Sequence, residues 1–220
     1  SGFMAYFGCH PVVCCSQTRY IHGDYCGVAM NNLECENPGS VGLFLQGAQG
    51  DVNSCVVHKP EKEAMLALDI ISARFANSVR HGLQTAKPLA VNNLKCADIM
   101  QKFSSKKIPL SRIKEMLAEK EAVVYADGVS DENGTVRMAV VTMIALRSII
   151  SRIEKGEDLM IQAAEIQGIR LGPVEFLGAP FEIMQAIKND VVVAAKAPIP
   201  LVMGITNGSM GYAPDKTAAA

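Results

Sequence analysis

Three short apolar runs in this chain each stop at a loop that carries an ionisable or hydrogen-bonding side chain. Residues 3–9 run through aromatic and apolar side chains into His10-Pro11. Residues 41–46 end at Gly47-Ala48-Gln49-Gly50, followed by Asp51-Val52-Asn53. Residues 201–205 lead into Asn207-Gly208-Ser209-Met210-Gly211-Tyr212. Short apolar runs closed by Gly, Pro or Asn read as buried strands. Strands mixed with helical segments imply an α/β fold, a layered mixed sheet with flanking helices. Such sheets place their sites in the loops at strand ends.

Between these runs the chain alternates in texture. Asp24 is placed to cap a helix running to about Glu36, and Asn37-Pro38-Gly39-Ser40 is a turn. A second helix is expected over 61–82, where Met65, Leu68, Phe75 and Val79 share a face. Residues 89–100 read as extended. Leu110, Ile113 and Leu117 describe an amphipathic helix started by Pro109 or Ser111, and residues 127–134 form a polar loop. Residues 136–153 carry apolar side chains on most sides, as a largely buried helix would. Strands are expected over 159–171 and 174–177. A helix over 181–188, with Pro180 near its first turn, would put Glu182 in that turn. The whole is read as one domain, residues 1–220.

Composition removes several functional classes. The net charge is −1 and no face-forming run of Lys and Arg occurs, so nucleic acid is not an expected partner. The charge-free apolar stretch 138–146 falls well short of the roughly 20 residues needed to cross a bilayer, so the chain is not read as an integral membrane protein. The seven cysteines are an odd number crowded toward the front, which fits reduced core thiols in a reducing compartment such as the cytoplasm. Adjacent Cys14-Cys15 lack the spacing of a zinc-ligand pair. A start at Ser1-Gly2 with no initiator methionine is expected of a processed product or a fragment.

Taken singly, each candidate has an ordinary structural explanation. His10 before a proline can be satisfied by a backbone carbonyl. Glu182 in a first helical turn is favoured by the helix dipole, Asp51 can cap a turn, and Tyr212 can simply pack in a glycine-rich loop. Their order adds information. Cys9-His10-Pro11, Gly23-Asp24-Tyr25-Cys26-Gly27 and residues 44–53 are followed by Gly178-Ala179-Pro180-Phe181-Glu182 and residues 204–212. This series resembles the motifs of the neutral/alkaline non-lysosomal ceramidase family, and it corresponds to the later part of that catalytic domain.

The resemblance implies a zinc hydrolase that cleaves an amide by metal-activated water, with a ceramide-like or other N-acyl small molecule as substrate. In that family one zinc is held by two histidines, a glutamate and a tyrosine. By motif, His10 matches the second histidine, Glu182 the glutamate and Tyr212 the tyrosine. The catalytic set carried over is Tyr212, Asp51 and Asn53. Tyr212 doubles as a donor to a developing oxyanion, while Asp24 and Asp51 fix the loops.

Two departures matter. The family's earlier His-x-His-Ser-Gly-like segment has no counterpart among His22, His58 and His81, although His22 flanks the Gly-Asp-Tyr loop. Asn53 stands where the family places a serine implicated in catalysis, and Ser54 is one position late. A missing companion segment or a homo-oligomer is therefore expected to complete the molecule. The alternatives are an inactive member kept as a binding or structural module, and a thiol site built from Cys9, Cys14 and Cys15 beside His10.

Overall fold

The computed structural model describes residues 1–14, 18, 21–57, 59–104, 108–130, 132–157 and 161–218. The expectations placed on Cys15, His58 and Leu159 lie outside the described residues. The elements in chain order are β1 (Gly2–Phe7), α1 (Asp24–Glu36), β2 (Val41–Gln46), α2 (Glu61–Thr85), β3 (Leu94–Ser104), α3 (Leu110–Val124), α4 (Gly134–Glu154), β4 (Ile161–Leu171), β5 (Val174–Gly178), β6 (Glu182–Ile183), α5 (Gln185–Ala194), β7 (Ile199–Met203) and β8 (Tyr212–Ala213). They form an α/β arrangement whose four-stranded sheet, in the order β3-β4-β5-β7, is mixed. β4 and β5 run antiparallel, joined at Gly172, whose φ of +59° suits glycine there. β5 and β7 run parallel.

Two compact units are distinguished: Ser1–Met100 with Glu165–Ala220, and Gln101–Ala164. In the first, β1 and β2 pair in parallel from Gly2↔Val41 to Phe7↔Gln46. Period-two alternation turns Phe3, Ala5 and Phe44 toward α1 and α2, where Ala29, Met30, Leu33 and Ala76 complete a small core. A second cluster centres on Tyr25, which is 1% exposed and meets Phe44 and Phe75 edge-on, with ring centroids 6.2 and 5.6 Å away. Its hydroxyl donates to the Cys9 carbonyl at 3.0 Å, so burial of the ring leaves no orphaned polar group. Burial pushes the phenol far above its usual pKa, and the charges it would meet on ionising add to this.

In the second unit α3 and α4 pack along a seam of Ile113, Leu146 and Ile150, flanked by Leu110, Met116, Leu117, Ile149 and Ile153. Lys114 pairs with Glu154 at 3.0 Å and Arg147 with Glu121 at 2.6 Å, which sets the two helices antiparallel. Asn133 caps α4, its side-chain oxygen accepting from the Thr135 N–H at 2.9 Å.

Several expectations change. The helix over 136–153 is buried along one stripe only, through Val136, Ala139, Met143, Leu146 and Ile150. Met138, Val141 and Ile144 fall on another face and stay exposed, because one packed stripe is enough to seat α4 on α3. Asp24 does not cap α1 from the outside. It is the first helical residue, at φ +51°, and Gly23 holds the cap position with no side-chain bond. The helix expected over 181–188 begins later, at Gln185. Glu182 and Ile183 instead form β6, pairing in parallel with Tyr212 and Ala213 of β8.

Candidate functional site

His10 leaves the end of β1 in a backbone held from several sides. Its N–H donates to the Val52 carbonyl at 2.9 Å, and its Nδ1 faces the same oxygen at 3.3 Å. The preceding carbonyl, that of Cys9, accepts from the Tyr25 hydroxyl and from the Gln46 side-chain amide at 3.3 Å. One end of the imidazole is thus oriented by a backbone oxygen, leaving Nε2 to point at Glu182. Nε2 and Oε2 are 2.6 Å apart across 172 residues of sequence. The His10 and Glu182 side chains are 14% and 21% exposed, enough for a small ligand to reach them.

Glu182 is delivered by β6. Its N–H donates to the Gly211 carbonyl at 2.9 Å, and the parallel register sets it beside Tyr212. The Tyr212 ring lies 6.2 Å from the His10 ring, tilted by 41°. As register partners on parallel strands, the Tyr212 and Glu182 side chains lie on the same side of the β6–β8 pair. Partial desolvation, then the neighbouring Glu182 carboxylate, raise the phenol pKa above its usual value. The three residues that the motifs singled out therefore meet at one place.

The loop between β2 and α2 serves the same place. Gly50 donates to the Ile183 carbonyl at 2.8 Å, and a Cβ at Gly50 would come within 2.7 Å of the Glu182 carbonyl oxygen. Only glycine allows that approach. The Asp51 carboxylate accepts from the Gln185 N–H at 2.8 Å at the start of α5, where a negative charge is favoured. Asp51 therefore pins the loop to the β6–α5 connection. Asn53 lines a cavity of about 720 Å³ between β1 and α2, as does Val52, whose carbonyl orients His10. The Ser54 hydroxyl is spent on the Val56 carbonyl at 2.6 Å. Val52 is the residue that sequence reasoning missed. It acts through its backbone oxygen, which leaves no mark on side-chain identity.

Asp24 is 4% exposed, and its carboxylate accepts from the N–H groups of Val13 at 3.3 Å, Cys14 at 2.7 Å and Tyr25 at 2.7 Å. It fixes the loop that follows His10. His22 Nδ1 accepts from the Asp24 N–H at 2.9 Å and lies 3.4 Å from the Cys14 sulfur. His81 is exposed on α2. The thiol reading loses ground at Cys9, whose burial raises its pKa, the opposite of what a thiolate nucleophile needs.

Among the described residues no group of three or more His, Cys, Asp or Glu side chains is arranged to hold a metal ion. The donor chemistry at hand is an imidazole nitrogen, a carboxylate and a phenol. The 2.6 Å between Nε2 and the Glu182 oxygen is a hydrogen-bond length, and a cation held by both atoms would replace the shared proton with the two further apart. A backbone carbonyl behind the histidine is the usual partner of a metal-bound imidazole. These residues fit part of a zinc site and leave coordination positions to be filled by other groups.

Comparison with protein-family models finds no match, and comparison with curated proteins finds none. Among solved structures, the chain is similar to neutral ceramidase from Pseudomonas aeruginosa, with a TM-score of 0.62 and 16% identity. It is also similar to a ceramidase complexed with C2, with a TM-score of 0.63 and 16% identity. Each comparison covers 96% of this chain but only 38% and 40% of the two ceramidase chains. The chain therefore has a ceramidase-like fold and spans about two fifths of the length of the proteins that share it.

Proposed function

We propose that His10, Glu182 and Tyr212 form part of a zinc centre that hydrolyses an amide bond in a lipid-like N-acyl substrate. The observation that carries this reading is the 2.6 Å approach of His10 Nε2 to the Glu182 carboxylate, with Tyr212 beside both, as the register partner of Glu182 and with its ring 6.2 Å from that of His10. His10 and Glu182 would ligate the ion directly, and Val52 would hold the imidazole in the tautomer that frees Nε2. Zinc bound there would polarise the scissile carbonyl and acidify a water molecule. Tyr212, a neutral phenol beside the same carboxylate, would donate a hydrogen bond to the oxygen on which charge develops. Asp51 keeps the β2–α2 loop against β6. Asn53, a neutral amide, binds or orients substrate at the cavity rim instead of supplying a nucleophile.

The test combines metal analysis with hydrolysis of an N-acyl sphingoid base by the zinc-loaded protein. Stoichiometric zinc and fatty-acid release are expected, with His10→Ala losing ~100-fold or more of the activity. Absence of zinc together with indifference to His10→Ala ends the hydrolase reading. A second reading, an inactive binding module of the same fold, is favoured by Asn53 in place of a serine and by the short donor set. It predicts substrate binding with no product formed at any zinc concentration.

A further inference from the structure

We propose that the free edge of β1 takes an additional β-strand, supplied by polypeptide other than these 220 residues, which fills the groove between β1 and α2. The inference rests on the fold alone and is independent of any zinc chemistry.

Four observations converge on it. First, β1 and β2 form a two-stranded parallel sheet among the described residues. Parallel sheets are ordinarily covered on both faces and extended by neighbours, and a two-stranded one is marginal. Second, the hydrogen-bonding pattern identifies the open side. Val41 and Gly47 donate to the carbonyls of Ser1 and Phe7, so the odd-numbered residues of β1 direct their backbone groups at β2. Met4 and Tyr6 therefore present their N–H and C=O groups to the opposite edge, along which no strand is paired among the described residues. An edge of this kind is a template for another chain.

Third, Met4, Ala5, Tyr6 and Phe7 all line the 720 Å³ cavity. Four consecutive residues border a space along a strand's edge, because a strand's face offers only alternate ones. Across the cavity α2 supplies Ile71, Phe75 and Val79, an apolar wall suited to alternate side chains of an inserted strand. Met4 meanwhile leaves apolar surface bare, at 56% exposure. Fourth, about 60% of each similar ceramidase chain has no counterpart here, although nearly all of this chain is matched. Those ceramidase chains thus hold much polypeptide beyond the part that is similar to these residues. An extended segment with apolar side chains at every second position satisfies both the backbone edge and the wall.

The test reads amide hydrogen exchange by NMR for the chain alone and with a capped peptide of alternating valine and threonine. The peptide is expected to slow exchange at Met4 and Tyr6 by tenfold or more. Phe3, Ala5 and Phe7, already bonded to β2, should change little. Met4→Pro removes one outward N–H without touching a β1–β2 bond. It should abolish peptide protection at Tyr6 while Ala5 stays protected, which also reports that the fold survives. No alternating protection with the peptide overturns the proposal. So does concentration-dependent protection of Met4 and Tyr6 without peptide, which would assign the edge to a second copy of this chain. Concentration-independent protection would show the edge already covered from within the chain, and would equally overturn it.

Discussion

The two units differ in how far along the chain their contacts reach. In the α3–α4 pair, the charged bonds join residues 40 apart or fewer, such as Lys114 with Glu154 and Arg147 with Glu121, and all lie at the surface. In the other unit His10 meets Glu182 across 172 residues, Asp51 meets Gln185 across 134, and the Tyr6 hydroxyl donates to the Val202 carbonyl across 196. The ionisable groups that converge, His10 and Glu182, belong to the unit with the long connections. A helix pair zipped by local contacts can be stable without bringing distant chemistry together, whereas a site assembled from three strand ends depends on every loop that feeds it.

That contrast can be broken or sharpened by substitution. Tyr25→Ala is expected to have the largest effect, destabilising the first unit by about 3–5 kcal/mol, as losses of large buried aromatics do. Urea denaturation followed through the His10 resonances would measure it. Leu146→Ala, in the α3–α4 seam, should cost about 2–3 kcal/mol while leaving the His10–Glu182 contact intact. If it disturbs His10, the separation of roles is wrong. Asp24→Ala strips the acceptor from three backbone N–H groups and should cost about 2 kcal/mol, with the loop after His10 loosening first in hydrogen exchange. Arg147→Ala, on an exposed ion pair, should leave the denaturation midpoint unmoved.

The smallest expected change is in titration. The Tyr212 phenol is raised by burial first and by Glu182 second, so Glu182→Gln should bring its pKa part of the way back toward the ordinary tyrosine value. Side-chain carbon NMR resolves it from the other tyrosines. A raised phenol pKa means the folded state holds the proton more tightly. The associated stability is present below the usual tyrosine pKa and disappears as pH climbs through the folded-state value. An unchanged Tyr212 titration in Glu182→Gln would remove the carboxylate from its environment.

Local pattern made some elements legible and left others hidden. β2 follows from an apolar run that begins after the Asn37–Ser40 turn, and α3 from the spacing of Leu110, Ile113 and Leu117 after Pro109. α4 has the expected length, but its apolar excess does not report burial, because the exposed residues Met138, Val141 and Ile144 are as apolar as the packed ones. Pro180 resembles a first-turn proline, so the local pattern places Glu182 on a helix that it does not join. What sets its conformation is a two-residue pairing with Tyr212, thirty positions away, and no local signal encodes that register. The order of motifs pointed to His10, Glu182 and Tyr212 as a set, yet their meeting depends on β1, β6 and β8 being assembled. The carbonyl of Val52 and the docking of Asp51 on α5 are backbone events with no residue-type signature.

The account stands on a cation shared by His10 and Glu182. Zinc titration followed through the imidazole nitrogen resonances of His10 tests it most directly. The expected result is a large shift of Nε2 on zinc addition, with Nδ1 still protonated toward Val52, and loss of that shift in Glu182→Ala. An Nε2 signal that zinc leaves untouched, or one that responds identically without the Glu182 carboxylate, would contradict it.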